Sequence, residues 1–341
     1  ISRLLASMGV RAKHAVTTLD ADRVIIRPIT LPSMNKKELR KAILFETEAS
    51  LPEATGEIPN IFDYKITRVY ESPEDNTEKV EVLIMAAERE PVIALAEAVQ
   101  QADLQPLAVD LSPVAAWRAE RRSPFIREHG EDFILITVND RCTDLSIVHN
   151  GALRLIRSLP IGTLQFLEQL GEQPMFDEEA SAASFEPEPE PEPEILPEPE
   201  MEPDEAPNPF EAFDPFATTS SFADTQMEQF VAQVERQGLP RVEQLITDLV
   251  DETLNTIRYG QSFGKEGAEI SFAVVDGYYP YGQQFCDFMA DKLGMPVLAG
   301  DPFADLDHEG GDLDEQLVGR YAPMFSTAVG LAIRGLGVSD E

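Results

Sequence analysis

The stretch Glu186 to Pro203, EPEPEPEPEILPEPEMEP, cannot belong to a packed core. Proline removes backbone donors, the alternating glutamates repel one another, and almost no apolar area is available to offset the entropy of ordering. The same bias spreads outward. Between Ser158 and Glu235 there are 20 acidic residues and no lysine or arginine, in a chain of 341 residues with a net charge of −35. Residues 172–235 are therefore expected to form a disordered acidic Pro-rich insertion, and any globular fold must be assembled from the flanks. Deleting residues 186–209 is expected to leave that fold intact. Phe210, Phe213, Phe216 and Phe222 stand among the acids like short docking motifs but specify no partner.

The flanks carry clear secondary-structure signals. Ile1 to Met8 reads as a helix, so a native N-terminal segment is expected to precede it. Ala15–Leu19 and Val24–Ile29 read as strands. Asn35 with Glu38 three positions on forms a capping box, opening a helix that carries Leu39 and Ile43 and ends near Leu51–Pro52. Ile61–Tyr70 and Lys79–Ala87 are strands. Pro91 opens a helix with Val92, Leu95 and Val99 on one face, and Leu104–Leu111 is again a strand. Three short strands then come in direct succession: Phe133–Val138, Leu145–His149 and Leu153–Leu159. A helix follows with Leu164, Leu167 and Leu170 on its apolar side. Beyond the insertion, Val242, Leu245, Ile246, Leu249, Thr253 and Ile257 line a long helix. Ile270–Val275 is a strand, Phe285–Leu293 a helix, Pro296–Leu298 a short strand, and Pro323–Arg334 a last helix. Three strands, a helix, then strand and helix is the order of the actin-like ATPase fold, in which hairpin turns and helix N-termini wrap a nucleotide's phosphates.

Several chemistries are disfavoured by the residues themselves. The acidic charge repels nucleic acid and anionic surfaces. No apolar run approaches the length of a membrane span. Cys142 and Cys286 make no disulfide framework, which fits a reducing cytoplasm. His14, His129, His149 and His308 lack metal-ligand spacing. Asp305 to Gly310 begins like a calcium-binding loop, but Asp312 and Gln316 break the pattern. No P-loop or nucleophile elbow is present. Trp117, near Arg118 and Arg121, reads as a core or subdomain-interface residue.

The stretches LPSMNKKELRKAILFETEASLP, FDYKI, VEVLIMAAERE, LQPLAVDLSPVAAWRA, TDLSIVHNGALRLIRSLPIG, LGMPVLAGDPFADL and APMFSTAVGLAIRGL are in the order and spacing of a known family. The chain resembles the type IV pilus assembly protein PilM family, actin-like relatives of the cell-division protein FtsA. The resemblance implies a two-domain α/β actin-like ATPase fold. Residues 1–21 and 104–130 would be the remnant of the N-terminal domain, and 22–103 an inserted small α/β subdomain. Residues 131–171 and 236–341 would form the second domain. It also implies a cytoplasmic scaffold that binds the N-terminal tail of a PilN-like inner-membrane protein, sits peripherally at the membrane through that partner, and links it to the pilus motor ATPases. An extended tail could add to strand edges around Ile61–Tyr70 and Val80–Ala87. Two alternatives share the fold: a nucleotide-switched ATPase and the cytoplasmic domain of a type II secretion platform protein.

ATP and magnesium enter only through the resemblance, and the matching positions are eroded. The family's Asp-Ile-Gly leads into the hairpin. Here Thr137 stands where the Asp belongs and Asn139 where the Gly belongs, while Thr143 is kept. Thr137 cannot supply a charge for a metal and its waters. The second contact keeps one glycine, Gly162, where the family often has a pair. The family's adenosine loop is usually Gly-rich; here it reads Val275-Asp276-Gly277-Tyr278-Tyr279, in which Tyr278 either stacks on adenine or fills its place. The first phosphate loop would lie upstream of Ile1. Thr143, Gly162 and Gly277 are thus the expected remnants of a degenerate nucleotide cleft with no catalytic residues and no resident metal.

Overall fold

The computed structural model describes residues 1–7, 9–50, 61–72, 75–170, 240–261, 269–279, 282–306 and 321–337. The acidic insertion expected over 172–235 lies outside the described residues, as does most of the calcium-like loop beyond Leu306. The chain divides into two units, Ile1–Phe166 with Gln244–Glu341, and Leu167–Glu243. All three sheets belong to the first.

The largest sheet has five strands: β6 (Phe133–Val138), β7 (Thr143–His149), β8 (Ala152–Leu159), β9 (Phe272–Gly277) and β10 (Val297–Ala299). Their order is β10-β9-β6-β7-β8. β6–β7–β8 is an antiparallel meander, whereas β9 joins β6, and β10 joins β9, in parallel. β6 is buried along its whole length, as a run that is apolar except at Thr137 suits a central strand. On one face Phe133, Leu135, Val148, Phe272 and Val274 meet Leu111, Val114 and Trp117 in a single core. The opposite face is covered in part by α7 (Pro240–Gln261), whose Gly260 lies over Ile147. Phe166 of α6 (Thr163–Leu170) stacks edge-to-face on Phe285 of α8 (Gln283–Leu293). Phe166 is fully buried while Leu164 and Leu167 are half-buried, so the aromatic anchors α6 rather than the leucine stripe expected of it.

The remaining strands form two smaller sheets. β1 (His14–Leu19) pairs in parallel with β5 (Gln105–Leu111). α4 (Ser112–Glu120) continues directly from β5 and packs against α9 (Ser326–Gly335). β2 (Val24–Pro32), β3 (Ile61–Glu71) and β4 (Glu78–Ala87) make an antiparallel sheet in the order β2-β4-β3. Helix α2 (Lys36–Ser50) covers one face through Leu39 and Ile43, which pack on Val80, Val82 and Ile84. Its start is capped as expected, with the Glu38 amide donating to Asn35 Oδ1 at 3.0 Å.

Three local expectations change. β2 runs past Ile29 to Pro32, and its Pro28 and Pro32 are tolerated because an edge strand has one side with no ladder to complete. β4 is bonded on both sides, so Val80–Ala87 offers no free edge; the sheet's edges are β2 and β3. The long element expected from Pro323 begins instead as a 3-10 turn, Ala322–Phe325, before α9.

Candidate functional site

The β6–β7 hairpin turns tightly, the Asn139 amide donating to the Cys142 carbonyl at 2.9 Å. It sits on the N-terminus of α6. The amides of Thr163 and Leu164 donate to the Asn139 and Asp140 carbonyls, each at 2.9 Å, and the Gly162 amide to Gln165 Oε1 at 3.1 Å. A helix N-terminus holds an anion with such amides; these are occupied by the hairpin itself. Gly162 is required by the contact, since a Cβ there would lie 2.5 Å from the Asp140 carbonyl oxygen. Thr143 donates its hydroxyl to the Ile161 carbonyl at 2.7 Å. The Thr163 hydroxyl reaches the Tyr278 carbonyl, and the Tyr278 amide donates to Val138 O at 3.2 Å. Gly277, at φ +90°, packs on the Val138 carbonyl where no side chain fits. The structure thus brings Thr143, Gly162 and Gly277 together around one hairpin, each engaged in holding that hairpin.

Register places a polar row beside them. Thr137 on β6 lies opposite Asp144 on β7 and opposite Asp276 on β9, and Asp144 lies opposite Ser158 on β8. Cross-strand partners share a face, so Asp276, Thr137, Asp144 and Ser158 continue the apolar rows of the core as a polar one. Asp276, Thr137 and Asp144 are at most 1% exposed. Thr137 Oγ1 has no hydrogen-bond partner within the protein, while the Ser158 hydroxyl acts on the Asp144 carboxyl and the Glu120 carboxyl on that of Asp276. Asp144 receives one clear donor, Asn139 Nδ2 at 2.9 Å. Burial, with the nearby charges of Asp20 and Asp22, pushes its carboxyl up to about 6. Burial likewise raises Asp20, with Asp22 and Asp140 adding to the effect, and pushes the Cys142 thiol up to about 11. The hairpin is therefore surrounded by carboxylates.

A second buried acid pair joins the row. Glu120 ends α4, Asp276 ends β9, and Ser326 opens α9. Ser326 Oγ lies 2.9 Å from Glu120 Oε1 and 2.8 Å from Asp276 Oδ1. One hydroxyl proton cannot serve two acceptors, so at least one carboxyl must carry a proton of its own. Burial pushes Glu120 up to about 7, and burial together with the Glu120 charge raises Asp276 well above the usual carboxylate range. The Asp301 amide donates to Glu120 Oε2 at 3.2 Å. Nearby, buried Asp110 at the end of β5 holds Arg118 of α4 at 2.9 Å and Arg334 of α9 at 3.1 Å.

This arrangement does not fit the phosphates of a nucleotide. The α6 amides are paired and both glycines are packed against backbone, so neither offers a phosphate a contact. Sequence reasoning found the hairpin but not Asp144, Glu120 or Asp276 as site residues. A carboxylate replaces the missing one of position 137 only across the ladder, which strand register alone discloses.

Other candidates resolve structurally. Trp117 is buried, donates Nε1 to the Gly151 carbonyl at 3.2 Å, and is flanked by Lys65 and Arg121 against its ring. Asp305 pairs with Arg127 at 2.6 Å. Among the described residues no group of three metal-binding side chains occurs, and no helix is long and apolar enough to cross a membrane.

With this geometry in view, the chain was compared with known proteins. No curated protein matches it. A solved structure of a PilM–PilN type IV pilus biogenesis complex matches with a TM-score of 0.65 at 20% identity, over 98% of this chain and 83% of that one. A protein of actin-like ATPase fold from Bacteroides thetaiotaomicron matches at 0.40 and 9% identity, over 95% and 76%. The ethanolamine utilization protein EutJ from Carboxydothermus hydrogenoformans matches at 0.36 and 15% identity, over 70% and 59%. The match at 0.65 shows the fold, the actin-like one that the resemblance seen in the sequence implies. The sequence profile of one family, described as type IV pilus assembly protein PilM, covers residues 1–188, more than half of the chain. The chain belongs to the type IV pilus assembly protein PilM family.

Proposed function

We propose that this protein is a cytoplasmic scaffold of type IV pilus assembly, recruited to the inner face of the cytoplasmic membrane. It holds the N-terminal tail of a PilN-like inner-membrane protein, connects that protein to the pilus motor, and does so without turning over ATP. The observation that carries the non-catalytic half is the occupied N-terminus of α6: Thr163, Leu164 and Gly162 give their amides to the hairpin and Gln165, leaving none for a phosphate. Asp20, Asp22, Asp140 and Asp144 border the turn, offset in part by Arg23 and Arg141, and make it a poorer site for a polyphosphate than a wholly cationic one. The partner half rests on family membership and on the matched fold, whose solved example is a complex with PilN.

β3 supports a docking route. It is an 11-residue edge strand with Ile61, Ile66 and Val69 exposed. Such an edge accepts an extended peptide through main-chain hydrogen bonds, with apolar side chains reading alternate residues. Calorimetric titration with the N-terminal peptide of the PilN-like neighbour tests the reading. Binding at micromolar level without nucleotide is expected, unchanged by Mg-ATP. Binding that requires Mg-ATP would refute the closed-hairpin argument, and no binding under either condition would remove the partner.

A further inference from the structure

Helix α2 breaks a local rule that its packing does not explain. Its first six positions carry Lys36, Lys37, Arg40 and Lys41, with Glu38 as the sole acid in the first turn. Cations at a helix N-terminus oppose the macrodipole and weaken the helix. The inward face needs none of them, since Leu39 and Ile43 alone meet Val80, Val82 and Ile84. All four cations are exposed, and so are Leu44 at 39% and Phe45 at 68%, the most exposed phenylalanine among the described residues. At about 100° per residue, Lys36, Arg40, Leu44, Lys37, Lys41 and Phe45 fall in that order around roughly half the circumference. Glu38 lies just beyond its edge. The outward arc is thus rich in long-stemmed cations interleaved with two apolar side chains, with the positions of Thr47 and Glu48, from the last turns of the helix, falling in the same arc.

We infer that the outward face of α2 docks directly on an anionic phospholipid surface. Charge complementarity carries the choice of occupant: lysine and arginine stems lie along the acyl boundary with their heads among the phosphates, while Phe45 and Leu44 enter the interface. The net charge of −35 does not forbid this. Its densest part lies between Ser158 and Glu235, and salt limits repulsion to a range of about 8 Å, so the local array decides. The contact is additional to any recruitment through a membrane-protein partner and does not depend on the pilus reading.

Co-sedimentation of the full chain with vesicles tests it. Binding to vesicles rich in phosphatidylglycerol is expected, weakened by salt, with none to phosphatidylcholine alone. Lys37→Glu with Lys41→Glu should lower the affinity at least about tenfold, and Phe45→Ser roughly three- to tenfold. Both variants alter exposed side chains, and an unchanged circular dichroism spectrum and melting temperature would verify folding. Equal binding to neutral vesicles, absence of binding, or full retention in both variants would overturn the inference. If an acidic peptide bound this face while vesicles did not, the occupant would be a protein and the lipid assignment would be wrong.

Discussion

The Glu120–Asp276 pair makes stability depend on pH in a direction opposite to ordinary acid denaturation. Glu120 titrates at about 7 in the fold against 4.5 when unperturbed. Between those values the folded chain keeps a proton that the unfolded chain has lost, so stability falls as pH rises. The contribution is fully present below 4.5 and gone once pH has passed through about 7. A shift of this size corresponds to about 3 kcal/mol, or roughly 6–9 °C in Tm for a unit of this size. Glu120→Gln keeps an acceptor for the Asp301 amide and removes the titration. Urea unfolding of both proteins from pH 5 to 8 reports the Glu120–Asp276 pair as a unit: Asp144, which titrates near 6 with the same sign, contributes equally to each and cancels, whereas Asp276 loses the Glu120 charge in the variant. The wild type should lose about 2–3 kcal/mol relative to the variant across that window, and the variant should be the more stable protein at pH 8. A difference that stays flat within about 0.5 kcal/mol would mean that no proton is shared at Ser326, and the hydroxyl argument would fail.

Other outcomes follow from single contacts. Gly277→Ala forces a side chain onto the Val138 carbonyl at φ +90° and should cost more than about 2 kcal/mol by urea unfolding. Arg118→Ala leaves Asp110 buried with only the half-exposed Arg334 and should cost about 3–5 kcal/mol, whereas Arg334→Ala should cost markedly less. Trp117→Phe loses the bond to the Gly151 carbonyl, about 1 kcal/mol. As this is the one tryptophan in the chain, wild-type emission should be that of a buried indole and should shift red in a single step with unfolding of the core.

Much of the fold was legible because its signals are local. The run Phe133–Val138, apolar except at Thr137, announces a central strand, and Asn35 with Glu38 announces the start of α2, since burial on both faces and an orphan amide are conditions on neighbouring residues. Strand ends were less legible. β9 runs to Gly277 rather than Val275 because Thr137 and Val138 of β6 supply partners for Asp276 and Gly277, a long-range cause.

The site was legible by half, and the division has a physical reason. Thr143, Gly162 and Gly277 are distinctive as residue types, and all three meet at the hairpin. Their role depends on what occupies the amides around them, which no residue type reports: the same glycines that would admit a phosphate here admit the backbone of Asp140 and Val138. Position 137 makes the point from the other side. Read along the strand, it has lost a charge; read across the sheet, it lies between Asp144 and Asp276. Carboxyl groups therefore still border the hairpin, on the flanking strands, where burial raises Asp144 and Asp276 and makes each easier to protonate than a solvated carboxylate. A hairpin whose neighbouring helix amides and glycines are already engaged by its own main chain supports the proposed reading, in which binding to a partner rather than phosphate chemistry is the function.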